Sequence, residues 1–220
     1  MIMDKKNLTI EETFALAVQN QQKNNLQVAE NLYKEILKKN PNHFQSNFLL
    51  GTLSAQTKKF DIAKQLLQKA IQIQPNYADA HNNLGNVQRE LDEHQKAKVC
   101  FEKAIQINPN YAQAHNNLGI VLKELGEYQK AIGCYEKAIQ IDPNYANVYY
   151  NLGNILQELR ELQKAKSCYE KLLNLDPTYK KGYSGYGNLL LKITQHNKGL
   201  AYIRKGDGVI RFTQKDVKII

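Results

Sequence analysis

The stretch from Ala112 to Tyr145, AQAHNNLGIVLKELGEYQKAIGCYEKAIQIDPNY, decides the fold, because near copies of it lie 34 residues away in both directions. All five prolines, all three cysteines and five glycines obey this period, at Pro41, Pro75, Pro109, Pro143, Pro177, Cys100, Cys134, Cys168, Gly51, Gly85, Gly119, Gly153 and Gly187. Self-similarity at a fixed period of roughly 20–50 residues indicates a repeat protein, in which each unit packs mainly on its neighbours.

Each 34-residue frame predicts two helices. In the quoted frame the first helix is predicted from Ala112 to Leu125, and the second from Tyr128 to Gln140. Gly126 between them suits a left-handed helix end, and Pro143 cannot continue the second helix. The inward face of the first helix follows the spacing i, i+3, i+4, i+7 at His115, Leu118, Gly119 and Leu122.

The recurring glycine has a steric explanation. Glycine inside a helix costs about 0.5–1 kcal/mol relative to alanine, so its recurrence predicts a close approach of the two helices of a repeat. The second helix places a small residue and, four positions later, a bulky one at matching places: Ala63, Ala97, Ala131 and Ala165, then Leu67, Phe101, Tyr135 and Tyr169.

These residues carry a resemblance to the tetratricopeptide repeat family, whose pattern of leucine-glycine, alanine, aromatic, alanine and proline is matched over about residues 10–205. One frame shows it at Leu118, Gly119, Ala131, Tyr135, Ala138 and Pro143. The resemblance implies an all-α, right-handed superhelical solenoid of antiparallel helix pairs that serves as a protein–protein interaction scaffold. The chain departs from the family at its early tryptophan, replaced by His81, His115, Tyr149 and Tyr183, and at Ala17 in the glycine position.

The frame sets the expected domain boundaries. Residues 1–9 form an N-terminal lead-in, and Thr9 with Glu12 predicts a capping box. Five repeats follow at 10–43, 44–77, 78–111, 112–145 and 146–179. Residues 180–205 form a degenerate sixth repeat or cap with a short second helix, Asn197–Lys205. Residues 206–220 form a β-like tail with runs at 209–212 and 217–220, which packs on the last helix pair or begins a following domain. An exposed strand there can pair with a second copy of the chain.

Composition narrows the functional classes. The net charge of +9 is concentrated at one end, since residues 180–220 carry nine Lys/Arg against two Asp/Glu. A nucleic-acid binder would show a basic stripe along its binding face, so the pattern argues against nucleic acid. As a third alternative, the basic end remains a candidate contact with nucleic acid or an anionic surface. No apolar run is long enough to span a membrane, and the start MIMDKKNLTIEETF lacks a signal region. These features predict a cytoplasmic protein.

Neither a cofactor, a metal site nor an active site is predicted. The three cysteines lie one repeat apart, where helices stack roughly 8–10 Å apart, too far for a disulfide. Free thiols are therefore expected, and a zinc site would need four converging ligands. The chain has no GxSxG, Walker or HExxH motif, so a non-enzymatic protein is expected.

The resemblance also implies a binding surface, because in this family one stripe of each first helix lines a concave groove. In the third repeat the predicted peptide-binding residues are Asp79, Asn82, Asn83, Asn86, Arg89 and Glu90. In the fourth repeat they are Gln113, Asn116, Asn117, Lys123 and Glu124, and Ile120 lies on the same stripe. In the fifth repeat they are Asn147, Tyr150, Asn151, Asn154 and Glu158, and Gln157 lies on the same stripe.

Within this stripe Asn83, Asn117 and Asn151 form a ladder of amides, which can hold the backbone of an extended peptide because each amide both donates and accepts. Similar ladders occur in the repeat arm of O-linked N-acetylglucosamine transferase, which these helices resemble. An alternative is that the asparagines bridge adjacent repeats by hydrogen bonds, and the two roles are compatible. The glutamates of the stripe are expected to form an acidic rail that favours Lys- or Arg-bearing ligands: Glu90, Glu124 and Glu158.

Two further expectations concern packing. His81 and His115 are predicted to be packed and hydrogen-bonded, and the tyrosines after the prolines to pack at inter-repeat junctions: Tyr77, Tyr111, Tyr145 and Tyr179.

The preferred function is a scaffold that binds a peptide or partner segment in its groove. The alternative is the substrate-recruiting arm of a larger enzyme, because the family is often fused to glycosyltransferase, sulfotransferase, methyltransferase or iron-dependent oxygenase domains.

Overall fold

The computed structural model describes residues 8–208, together with the backbone of residues 210–212 and 217–219. Within this part of the chain the helices are α1 (Ile10–Gln22), α2 (Leu26–Lys39), α3 (Phe44–Gln56), α4 (Phe60–Ile73), α5 (Ala78–Glu90), α6 (His94–Ile107), α7 (Ala112–Glu124), α8 (Tyr128–Ile141), α9 (Ala146–Glu158), α10 (Leu162–Leu175), α11 (Lys180–Lys192) and α12 (His196–Asp207). Two short strands follow, β1 (Ile210–Phe212) and β2 (Val217–Ile219), paired antiparallel with Ile210 opposite Ile219.

The chain forms two compact units, Met1–Pro109 with α1–α6 and Asn110–Ile220 with α7–α12 and the strands. In each unit consecutive helices pack as pairs, α1 on α2 through α11 on α12, and the second helix of a pair packs on the first helix of the next pair in that unit. The predicted all-α fold of antiparallel helix pairs is confirmed. Residues 1–7 of the predicted lead-in, and residues 209, 213–216 and 220 of the predicted tail, lie outside the described residues.

The ends of the helices follow from local chemistry. The capping box at α1 is present, with Thr9 Oγ1 accepting from the Glu12 amide at 3.1 Å and Glu12 Oε2 accepting from the Thr9 amide at 2.9 Å. These two bonds satisfy amides that have no partner within the helix. The predicted bounds of α7 and α8 agree with the structure to within one residue.

The turn inside each helix pair has one residue in the left-handed conformation, always at the same position of the 34-residue frame. Gly126 has φ 77°, as predicted, and the Glu127 amide returns to the Leu122 carbonyl at 2.8 Å, which satisfies an orphan carbonyl of α7. The matching turn residues also have positive φ although none of them is glycine: Asn24, Lys58, Asp92, Arg160 and Thr194. The turn is therefore set by the two helices it joins, at a local conformational cost of about 1–2 kcal/mol for such residues.

The recurring glycines are buried against the bulky residue of the second helix. A Cβ built on Gly119 would lie 2.6 Å from the Tyr135 ring, and one on Gly85 would lie 2.7 Å from the Phe101 ring. Such separations are below any van der Waals contact, so an added methyl group would force the ring to move. The predicted steric role of the glycines is confirmed, with the large ring itself as the close neighbour.

The last helix pair differs from its prediction. α12 runs His196–Asp207, three residues longer overall than the expected Asn197–Lys205. Its glycines pack closely instead of breaking the helix: a Cβ on Gly206 would lie 2.7 Å from the Lys180 carbonyl oxygen, and one on Gly199 would lie 2.9 Å from the Gly187 carbonyl oxygen. Helix-breaking residues in the sequence are thus contact points between α11 and α12.

Candidate functional site

The predicted stripe is only partly exposed. Its exposed members are Asp79, Glu90, Gln113, Glu124, Asn147 and Glu158, and its half-buried members are Asn83, Asn86, Arg89, Lys123, Tyr150, Asn151 and Asn154. Asn82, Asn116 and Asn117 are buried, with 1%, 5% and 7% of their surface exposed. The stripe predicted to line the groove is therefore not accessible along its whole length, and these three residues are shielded from solvent.

Asparagines of the stripe bridge neighbouring first helices. In the first unit Asn83 Nδ2 donates to Thr52 Oγ1 at 3.1 Å, which joins α5 to α3. In the second unit Asn151 Nδ2 donates to Asn116 Oδ1 at 2.9 Å, which joins α9 to α7. The bridging role anticipated for these amides is confirmed at both sites. Each bond uses one of the two N–H groups of the donor amide.

A cleft of about 280 Å³ lies between α7 and α9 in the second unit. Four predicted site residues line it: Lys123, Glu124, Asn151 and Asn154. Ile120 and Tyr135 supply its apolar surface. Asn154 Oδ1 accepts a hydrogen bond from the Tyr169 hydroxyl at 2.6 Å, which fixes the orientation of the amide. Within the described chain the Asn154 N–H groups donate to no other residue, so they are available to an acceptor on a ligand.

The first unit has a cleft of about 280 Å³ that is lined by residues of α3, α4 and α5 and of the turn between α3 and α4. Asn86 and Glu90 of the predicted set line it, together with Ala55, Phe60 and Val87. The prediction missed the apolar members, and it also omitted half-buried residues of α1 and α3 that occupy the same frame positions as the asparagines: Phe14, Val18, Phe48 and Leu49. The 34-residue offset was sufficient to find them. In the first unit the stripe therefore changes from apolar on α1 and α3 to amide-rich on α5.

The carboxylates of the expected acidic rail have cationic neighbours. Glu90 Oε1 lies 3.2 Å from Arg89, and Glu158 Oε1 lies 2.6 Å from Lys123, which joins α9 to α7. Exposed pairs of this kind contribute only about 0–1 kcal/mol. Their main consequence is that the negative charge of Glu90 and Glu158 is compensated locally, so the stripe attracts basic ligands less than its sequence suggests.

The packing expectations hold where the structure shows the contacts. His81 Nε2 lies 2.9 Å from the Pro75 carbonyl oxygen, so this histidine is packed and hydrogen-bonded as predicted. The Tyr77 ring lies 5.0 Å from Phe44 and 5.1 Å from Phe48, edge-on, at a junction between repeats. The Tyr179 ring lies 5.5 Å from Tyr150.

Two of the three thiols are poor nucleophiles. Cys100, Cys134 and Cys168 are half-buried cysteines and are not joined in disulfides. Burial raises the pKa of Cys100 to about 11 and, with a smaller contribution from Glu136, the pKa of Cys168 to about 11. Both thiols are therefore protonated at neutral pH, and the thiolate is the reactive form.

In the part of the chain that the structure describes, no three His, Cys, Asp or Glu side chains are placed to hold a metal ion. None of the helices described there has the length and apolar character that crossing a membrane requires.

The family comparisons agree with this architecture. Models described as TPR repeat or tetratricopeptide repeat match residues 51–92 and 121–159, 78–111, 100–133 and 146–179, which together extend without a gap from 51 to 179. No protein of curated function matches the chain.

Solved structures share the fold. MamA is 27% identical, with a TM-score of 0.69 over 78% of this chain and 94% of that chain. PilF of Pseudomonas aeruginosa is 18% identical, with a TM-score of 0.77 over 88% of each chain. YrrB, described as a TPR protein with an unusual peptide-binding site, is 20% identical, with a TM-score of 0.63 over 79% of this chain and 90% of that chain.

Stacked helix pairs with clefts between their first helices define an α-helical repeat scaffold for protein–protein interaction. The chain belongs to the tetratricopeptide repeat family.

Proposed function

We propose that the chain binds a peptide or partner segment along the first helices of its repeats, with the amides of the stripe holding the ligand backbone. The observation that carries the proposal is the α7–α9 cleft, where Lys123, Glu124, Asn151 and Asn154 converge beside the apolar surface of Ile120 and Tyr135. Ligand sites combine such apolar lining with a few oriented polar groups.

Asn154 is the residue best suited to contact the ligand backbone. Because Tyr169 holds its oxygen, its N–H groups keep one orientation and lose little freedom when they donate to a peptide carbonyl. Asn151 donates one N–H to Asn116 Oδ1, and its second N–H can donate to a ligand. Contacts of this kind recognise the backbone and accept many side chains. YrrB, which shares the fold, has a peptide-binding site in its description, and at 20% identity that likeness concerns the fold alone.

The asparagines that bridge repeats or are buried are poor positions for testing the proposal. Replacing Asn83, Asn117 and Asn151 together would remove inter-repeat bridges or buried amides as well as ligand contacts. Asn154→Ala and Ile120→Trp are cleaner, since the first removes the free N–H donors and the second fills the cleft. Lys137→Ala on α8 is the matched control, because Lys137 is exposed and, among the described residues, its side chain donates one hydrogen bond, to Gln140.

The probe is a displayed library of random 12-residue peptides selected on the full chain. We expect the selected peptides to bind Asn154→Ala about tenfold more weakly, the loss expected for one hydrogen bond of about 1.4 kcal/mol, and Ile120→Trp more weakly still. Lys137→Ala should bind as the unchanged protein does. Equal affinity for all four proteins, with unchanged helicity by circular dichroism, would contradict the proposal.

A further inference from the structure

Gly133 is a glycine without a steric reason. It lies inside α8, and a Cβ built on it would meet no atom within 4 Å. Glycine in a helix interior costs about 0.5–1 kcal/mol relative to alanine. The buried glycines of the repeats avoid a clash with a second-helix side chain, whereas Gly133 is exposed and avoids none. Its missing side chain opens the surface above it.

Gly133 lines a cleft of about 530 Å³ between α8 and α10, which we name the α8–α10 cleft. Ile132, Leu152 and Leu156 give it apolar walls, and Glu136 and Glu161 give it two carboxylates. Glu136 forms no ion pair within the described part of the chain, although it adds a small contribution to the raised pKa of Lys164, which is hydrogen-bonded to Glu161 and also lines the cleft. Its carboxylate contributes to the raised pKa of the Cys168 thiol, another residue of the cleft, so the charge lies close to the cleft.

In the first unit a cross-repeat ion pair occupies the matching position. Lys59 Nζ lies 2.8 Å from Glu30 Oε2, and one repeat later Lys64 Nζ lies 2.6 Å from Glu93 Oε1. The two pairs use the same two positions of the 34-residue frame with the charges exchanged. In each, a residue of one second helix is joined to the residue that precedes the next second helix.

The α8–α10 cleft has the carboxylate that corresponds to Glu93 but no lysine at the position of Lys64. Two repeats after Lys64 and Glu93, the same positions hold Ile132 and Glu161, and Gly133 replaces Gln65. Lys164 Nζ lies 2.6 Å from Glu161 Oε2, as Lys96 Nζ lies 3.3 Å from Glu93 Oε1. Because Glu93 holds Lys64 and Lys96 together, a carboxylate in this position accommodates a second cation beside its local lysine.

We propose that the α8–α10 cleft binds a lysine or arginine side chain of a partner protein. The alkyl stem would lie on Ile132, Leu152 and Leu156, and the cationic head would contact Glu161 and Glu136, in the place that Lys64 occupies on Glu93 in the first unit. Long basic side chains bury their stems on apolar surface in this way. The two clefts share helices α8 and α9 but no lining residue, so the inference does not depend on the proposed function.

The test is a titration of the ¹⁵N-labelled full chain, followed by NMR, with the peptide acetyl-GSGKGSG-amide and its norleucine counterpart. We expect the lysine peptide to shift the amide signals of Gly133, Glu136 and Cys168, and the norleucine peptide to leave them unchanged. Glu161→Gln should weaken the binding by about fivefold, the effect of losing one partly exposed charge pair. Ile132→Lys, which supplies the cation from the chain itself, should abolish it.

Gly133→Leu blocks the cleft without changing any charge and should also abolish the shifts, whereas Gln65→Leu at the matching place in the first unit should not. Circular dichroism checks that each variant is folded. Equal shifts with both peptides, or undiminished binding to Ile132→Lys, would overturn the inference. Shifts confined to Ile120, Asn151 and Asn154 would also overturn it, and would leave the groove proposal intact.

Discussion

The junction of α4 with α6 and the junction of α8 with α10 share a core and differ at their surface. In the first unit Ala63, Leu67, Leu84 and Val87 are buried, and two repeats later Ala131, Tyr135, Leu152 and Ile155 are buried at the same positions. The surface of the first junction is closed by Lys64 on Glu93, whereas the second has Ile132 and Gly133 and is open. Buried positions therefore fix the repeat, and exposed positions decide whether a junction is closed or open.

The largest effect is expected from changing the shared core. Gly119→Ala places a methyl group where the Tyr135 ring now lies, 2.6 Å from the new Cβ. Overpacking of a well-packed site costs about 1–3 kcal/mol, which exceeds the gain in helix propensity of about 1 kcal/mol from replacing glycine. We expect a net loss in the free energy of unfolding, measured by urea denaturation. A variant as stable as the unchanged protein would show that the ring relaxes freely.

The opposite sign is expected at the open junction. Gly133→Ala adds a methyl group that meets nothing within 4 Å, so only the helix propensity changes. We expect the free energy of unfolding to rise by about 0.5–1 kcal/mol. The same urea experiment measures it, and the opposite signs of Gly119→Ala and Gly133→Ala separate a packing glycine from one that opens a cleft. A destabilised Gly133→Ala protein would mean that the helix needs glycine there for a reason other than the cleft.

The buried positions of the repeat could be predicted from the sequence better than the turns and the surface. The 34-residue period and the close approach of the two helices at Gly119 could be predicted, because buried positions recur with few acceptable residues. The sequence placed a small alanine opposite this glycine, whereas the ring of Tyr135 is its close neighbour. The left-handed turns at Lys58 and Thr194 could not, since neither residue favours positive φ and the conformation is imposed by the helices on either side.

The stripe was predicted only in part for a related reason. A frame position specifies a helix face and not the depth of a side chain, so the burial of Asn82, Asn116 and Asn117 depends on the neighbouring helix and cannot be read from one frame. The compensation of Glu158 by Lys123 is a contact across two repeats, 35 residues apart in the chain. Such contacts become visible only when the stacking of the helices is known.

The smallest effect is expected from opening the closed junction with Lys64→Met, which keeps the length of the side chain and removes its charge. The hydrogen bond from Lys64, followed by that from Lys96, holds the pKa of Glu93 below its usual value, and burial opposes this shift. A carboxyl group with a lowered pKa in the folded state stabilises the protein above its unfolded pKa. That contribution is lost as the pH falls through the folded pKa. We therefore expect Lys64→Met to lower the urea midpoint at pH 7 and to lower it by less at pH 3, where a larger fraction of Glu93 is protonated. Lys69→Met on the same helix is the control, since Lys69 forms no ion pair within the described chain. An equal decrease at both pH values would show that Lys64 acts through packing of its stem, and the junctions would then differ in shape alone.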